Sequence, residues 1–136
     1  MDTNCIFCKI VKGEIPCSRI YEDSHHVAFL DIAPVNKGHT LLIPKKHYSD
    51  LFEMPDAELK EISILLKKLG RIVMEGVKAD GVNVGMNNKA AAGQVVFHAH
   101  FHIIPRFAGD GLKHWPQKKY ESNEEMERFR KLINAF

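Results

Sequence analysis

The chain has 136 residues, 45% hydrophobic and 26% charged, with a formal net charge of +2 when the histidines are neutral. That is the size and composition of one soluble globular domain with a real core, and so small a charge implies no strong attraction to nucleic acid or to a membrane surface. No apolar run approaches the roughly 20 residues of a membrane helix, and the polar start Met1-Asp2-Thr3-Asn4 is unlike a secretory leader, so the expected compartment is the cytoplasm.

The first feature is Cys5-Ile6-Phe7-Cys8. In a chain without an export signal that spacing points to metal or redox work and away from a structural disulfide. Ile6, Phe7 and Ile10 cluster as on one short helix, which runs from Cys5 to Lys12 and ends at Gly13. Cys17 reads as an ordinary buried thiol. Arg19 to Glu22 and His26 to Leu30 read as two short strands with a turn at Asp23-Ser24-His25. Asp31-Ile32-Ala33-Pro34 leaves the sheet, Asn36-Lys37-Gly38 turns, and His39 to Pro44 is a third strand. Pro55, followed by Asp56 and Glu58, starts the one long helix. Its apolar residues Leu59, Ile62, Leu65, Leu66, Leu69, Ile72 and Val73 keep helical spacing up to Gly76, so one face covers the sheet. Gly81 to Asn87 is a fourth strand, and Asn88 to Gly93 is a small-residue loop into a fifth. Past Arg106 the chain is loop-like until a last helix over 123–133, with Asn123 as cap and an apolar stripe at Met126, Phe129 and Ile133. The expected architecture is α+β: an antiparallel sheet of about five strands with the long helix on one face.

The chemistry gathers in Gly93-Gln94-Val95-Val96-Phe97-His98-Ala99-His100-Phe101-His102-Ile103-Ile104-Pro105-Arg106. Period two places His98, His100 and His102 on one strand face, about 6.5 Å apart, with Phe97, Ala99 and Phe101 turned toward the long helix. Three imidazoles in a row fit two chemistries. One is a metal site, since His-x-His on a strand can present two nitrogens to one zinc. The other is nucleophilic catalysis, because a neutral imidazole attacks phosphorus at neutral pH without a metal to activate it. The small-residue loop before the row is an anion cradle in waiting, which favours phosphate. His100, flanked by two imidazoles, is the nucleophile that symmetry favours. Cys5 and Cys8 need two more ligands for a closed zinc site, and His25, His26, His39, His47, His98 and His114 are the candidates.

His98-Ala99-His100-Phe101-His102-Ile103-Ile104 matches the signature His-φ-His-φ-His-φ-φ, with φ apolar. On it, the stretch from about Cys5 to Trp115 resembles the histidine-triad (HIT) family, in its small nucleotide-binding, phosphoramidate-hydrolase-like branch. The resemblance implies one HIT domain over 1–136, with 116–136 as an extension. It implies that His100 becomes nucleotidylated, that His98 and His102 complete the catalytic row, and that His39 supports it. It also implies a pocket for a purine nucleotide of the AMP type: Ile6, Phe7, Ile10, Phe29 and Ile32 about the base, Asp31 on the ribose hydroxyls, Asn87 on ribose or phosphate, and Gly93, Gln94 and Val95 by the phosphate. A structural zinc on Cys5, Cys8, His47 and His98 follows from it, with no catalytic metal. So does a homodimer in which Trp115 reaches the partner's site. The chain departs from the family at Val95, where relatives commonly carry a serine or threonine able to donate to the leaving group. Three other readings stay open: dinucleoside polyphosphate cleavage at the same site, a weakly active zinc-stabilised nucleotide-binding adaptor, and a catalytic zinc on the three histidines.

Overall fold

The computed structural model describes residues 4–135. The chain runs α1 (Ile6–Lys12), β1 (Arg19–Glu22), β2 (His26–Leu30), β3 (Thr40–Pro44), α2 (Asp56–Gly76), β4 (Gly81–Gly85), β5 (Phe101–Arg106) and α3 (Asn123–Asn134). The five strands form one sheet in the order β1-β2-β3-β5-β4, antiparallel at every pairing.

Two layers of apolar side chains explain why β2 and β3 read as unbroken hydrophobic runs. Such runs mark strands buried on both faces. On one face Ala28, Leu42, Phe101 and Ile103 pack against Ile62, Leu65, Leu69 and Val73 of α2. On the other, Val27, Phe29, Leu41 and Ile43 pack against Phe7, Cys8 and Ile10 of α1. β4 is an edge strand of small and exposed residues, and β5 alternates buried with half-buried positions. The half of the sheet formed by β4 and β5 is therefore open on the face that carries His102.

Several expectations need correction. The triad strand begins only at Phe101, because the β3–β5 ladder ends at the Leu42–Phe101 pair. Beyond it lies Pro44, which has no N–H to give, and the Ala99 N–H bonds the Tyr48 carbonyl instead, at 2.7 Å. Ala99 and Phe101 do face α2, whereas Phe97 is half exposed. Ile72 is 46% exposed and lies outside the core. Cys17 is only half-buried, against the α1 layer. The cap of α3 is Ser122, whose side chain accepts from the Glu125 N–H. Its predicted stripe is present, but Met126, Phe129 and Ile133 are exposed.

Gly38 sits at φ +100°, a left-handed conformation, just before His39. A Cβ there would lie 3.0 Å from Val77 Cγ1 and 3.4 Å from Pro105 Cγ. Both the backbone and the contact oppose a larger residue, so Gly38→Ala is expected to cost about 1–3 kcal/mol. Urea unfolding would show it as a lower midpoint with an unchanged slope.

Candidate active site

His98 and His100 lie upstream of β5, yet they keep the face that alternation assigned to them. Phe7 of α1 meets both rings edge-on, with centroids 5.9 and 5.2 Å away, and the His100 and His102 rings are 5.1 Å apart. The row is sheltered, with His98 fully buried and His100 nearly so.

Each ring has its proton placed by its partners. His100 Nδ1 is 2.7 Å from the His98 carbonyl oxygen, which can only accept, so Nδ1 carries the hydrogen and Nε2 holds the lone pair. The Val35 N–H donates to His39 Nδ1 at 3.1 Å, so the neutral His39 ring is protonated at Nε2. That nitrogen lies 2.8 Å from His102 Nδ1 and donates to it. His102 must then carry its own hydrogen on Nε2, a buried atom with no partner among the described residues. A lone pair on His100 and an unused N–H on His102 are what an electrophilic phosphoryl group with anionic oxygens would meet.

Burial, helped by the His100 and His39 rings and opposed by Asp31, pushes His102 down to about 4. His39 is lowered by burial as well. The unfolded chain takes up a proton on this residue below about 6.5, whereas the folded protein does so only near 4. The stability carried by the neutral ring is complete above 6.5 and is lost as the pH falls toward 4. In His102→Gln, the loss of unfolding free energy between pH 7 and pH 5 should be smaller than in wild type by about 1–2 kcal/mol, measured by urea titration.

The Cys-x-x-Cys pair converges with His47 and His98, their ligand atoms all within 4.8 Å of one another. Cys5 Sγ and Cys8 Sγ lie 3.5 and 3.6 Å from His98 Nδ1, Cys8 Sγ is 3.4 Å from His47 Nδ1, and the two Nδ1 atoms are 3.2 Å apart. Tetrahedral zinc with ordinary Zn–N and Zn–S lengths separates its ligands by about 3.3 to 3.8 Å, so the donor set fits. His98 Nε2 donates to the Pro44 carbonyl at 2.8 Å, which leaves Nδ1 as the free ligand atom. Burial also pushes His98 down to about 4, and so keeps it in the neutral form a metal requires. Of the other candidate histidines, His26 bonds Glu58 and Asp23, and His39 bonds His102.

The remaining expected residues divide. Phe7, Ile10 and Phe29 are buried in the α1 layer, while Ile6 is 46% and Ile32 is 99% exposed, two apolar side chains left uncovered. Asp31 accepts from the Ala33 N–H, and its other oxygen lies 3.8 Å from His39 Nε2. Asn87 Nδ2 stands 3.5 Å from the Gly93 carbonyl. The loop before the row is less of a cradle than its composition implied, because the N–H groups of Ala92, Gly93 and Gln94 turn back onto Lys89 and Ala90. Gln94 is buried with its amide wholly engaged: it accepts from the Lys89 N–H and donates to the Ser49 and Val96 carbonyls. It bolts the loop to the 48–53 segment. Asn88, which accepts from the Leu51 N–H, and Lys89, paired with the buried Asp50, complete that bolt. Nothing in the local sequence signals these partners. Val95 sits at the exposed tip.

The family model for the HIT domain matches residues 12–109. An uncharacterized HIT-like protein of Methanocaldococcus jannaschii is 55% identical over 114 residues, 79% of this chain and 82% of its own. The adenosine 5'-monophosphoramidase of Schizosaccharomyces pombe is 48% identical over 103 residues, 76% of this chain and 74% of its own. A zinc-bound histidine triad family protein of Mycobacterium smegmatis superposes with a TM-score of 0.77 at 38% identity, covering 98% of each chain. The chain belongs to the HIT family, with the α+β HIT fold. Among the described residues no helix is long and apolar enough to cross a membrane.

Proposed function

We propose that this protein cleaves a purine nucleoside monophosphate derivative, an AMP amidate or anhydride, through a covalent nucleotidyl-His100 intermediate. The observation that carries the reading is the bond from His100 Nδ1–H to the His98 carbonyl, which presents an unprotonated Nε2. Nε2 forms a bond to the α-phosphorus as the bond to the leaving group breaks, and the leaving group departs with the electron pair. Water then attacks phosphorus, the N–P bond breaks back to Nε2, and a proton passes to solvent. His102 Nε2–H donates to the phosphoryl oxygen on which charge builds. Asp31 receives the ribose hydroxyls, and the uncovered Ile6 and Ile32 flank the base.

Zinc on Cys5, Cys8, His47 and His98 serves structure, tying α1 to the sheet. The phosphoramidase name of the fission-yeast relative and the zinc-bound mycobacterial neighbour support both parts of the reading. The chain works as a single domain and a homodimer in the cytoplasm, where its thiols stay reduced. Rapid quenching with adenosine 5'-phosphoramidate, followed by peptide mass spectrometry, tests the mechanism. A nucleotidyl adduct on the peptide holding His100 is expected; turnover with no adduct at any quench time overturns it.

A further inference from the structure

Residues of positive φ stand at both ends of the turn that leads toward the histidine row. Gly93 stands at φ +96°, which a glycine adopts without penalty. Lys89 stands at φ +73° and ψ +156°, a region that a residue with a Cβ rarely enters. The chemistry proposed above makes no use of Lys89, so this backbone needs both a cause and a purpose.

The cause lies on the segment after β3. Tyr48, Ser49, Asp50 and Leu51 each hold a partner in 88–99, taken in reverse order. The Tyr48 carbonyl accepts from the Ala99 N–H at 2.7 Å, and the Ser49 carbonyl from Gln94 Nε2 at 2.7 Å. The Asp50 carboxylate pairs with Lys89 Nζ, and the Leu51 N–H donates to Asn88 Oδ1 at 2.8 Å. The Asp50 side chain is 2% exposed and pairs with no other cation among the described residues; its Oδ1 accepts from the Phe52 N–H at 3.0 Å. The ammonium of Lys89 lies 5.9 Å from the centre of the Phe52 ring as well. The main chain of Lys89 closes the turn from inside. Its N–H donates to Gln94 Oε1 at 2.8 Å, and its carbonyl accepts from the Ala92 and Gln94 N–H groups. With this backbone, one residue grips the turn through its main chain and a buried carboxylate through its side chain.

The purpose follows from where the turn leads. After Gln94 come Val95 and Val96, whose N–H groups have no acceptor among the described residues. Next comes His98, whose carbonyl fixes the proton of His100. Groups that meet a reacting phosphoryl centre act only when held in place as its charge develops. A glycine at 89 would relax the turn and leave it free to drift, whereas a tethered lysine keeps it in one conformation. Resting on the covalent reading above, we propose that Asp50 and Lys89 are positioning residues for phosphoryl transfer. Their ion pair keeps Lys89 in its strained backbone, and so holds the 93–96 main chain against the reacting phosphate even though the strained turn destabilises the fold.

The test uses the full chain with adenosine 5'-phosphoramidate as probe. Asp50→Asn/Lys89→Gly removes both charges and the strain together, while asparagine keeps an oxygen for the Phe52 N–H. Its kcat should fall by about ten- to a hundredfold, with KM changed by less than about threefold. Its melting temperature should stay within about 3 °C of wild type or rise. The amides of 93–97 should exchange with deuterium at least about tenfold faster. Asp50→Asn alone, with no glycine introduced, should lower kcat by about tenfold. Lys89→Arg, which can still pair with Asp50, should keep kcat within about threefold of wild type. A double variant or an Asp50→Asn variant with wild-type kcat overturns the proposal. So do loop amides that exchange at the wild-type rate, or a loss of kcat that comes only with a matching fall in melting temperature. The covalent reading fails separately, if wild type turns the probe over with no nucleotidyl adduct on His100. The positioning role is then still decided by the kcat and exchange comparisons.

Discussion

Replacing His100 with asparagine is expected to lower AMP release by on the order of 10⁴-fold, while AMP itself still binds within a few-fold of wild type. Asparagine keeps a donor for the His98 carbonyl and, being smaller than imidazole, loosens the contact with Phe7 without a clash. What is lost is the lone pair that, in the proposed mechanism, forms the bond to phosphorus. The residual rate should come from direct attack by water, still helped by the unused His102 N–H. His102→Leu, which has no N–H to give, should therefore cost less, on the order of 10²–10³-fold in kcat, the usual price of one donor to developing charge. The contrast between the two variants separates nucleophile from charge stabiliser. If His100→Asn turns over at a tenth of the wild-type rate or better, the covalent role is gone.

The parts of the fold that sequence reading reached are those governed by local periodicity. β2 and β3 came through as apolar runs, and the long helix as a 3.6-residue pattern between Pro55 and Gly76. The α1 cluster and the two-residue alternation of β5 were equally plain. What stayed hidden depends on partners far along the chain. Phe97 follows the alternation of its neighbours, but the Tyr48 carbonyl takes the Ala99 N–H and draws the segment off the ladder. Gln94 looked like a phosphate neighbour. Its amide is held by Ser49, 45 residues away, and no local pattern announces that. The convergence of Cys5, Cys8, His47 and His98 belongs to the same category. Spacing left six histidines open, and only family resemblance selected the pair that the fold brings to the thiols. The proton positions on His39 and His102 likewise follow from a single backbone N–H, that of Val35.

Cys8→Ser is expected to lower the melting temperature by roughly 15 °C and to reduce bound zinc from about one equivalent per chain to a small fraction. The size of the effect follows from what α1 has besides the metal. Phe7 and Ile10 are buried against Val27, Phe29, Leu41 and Ile43, and α2 covers the opposite face, so the chain keeps a core and stays folded without zinc. This separates it from small zinc domains, which unfold outright when stripped. The loss is the linkage term, about 4 kcal/mol if free zinc stands a thousandfold above its dissociation constant. Added to it is the cost of a thiol and two imidazoles left without a ligand in a buried site. His98 then transmits the change. Its Nε2–H is fixed to the Pro44 carbonyl, and its own carbonyl holds His100 Nδ1, so a His98 that shifts on losing the metal takes the nucleophile's orientation with it. Chelation of the wild type should therefore lower the melting temperature first and kcat with it, leaving KM nearly unchanged. His47→Ala should reproduce both effects, because it removes a half-buried ligand that touches His98 but neither His100 nor His102. A wild-type protein purified with no zinc, whose melting curve ignores both chelator and Cys8→Ser, would show that the four side chains meet for packing alone.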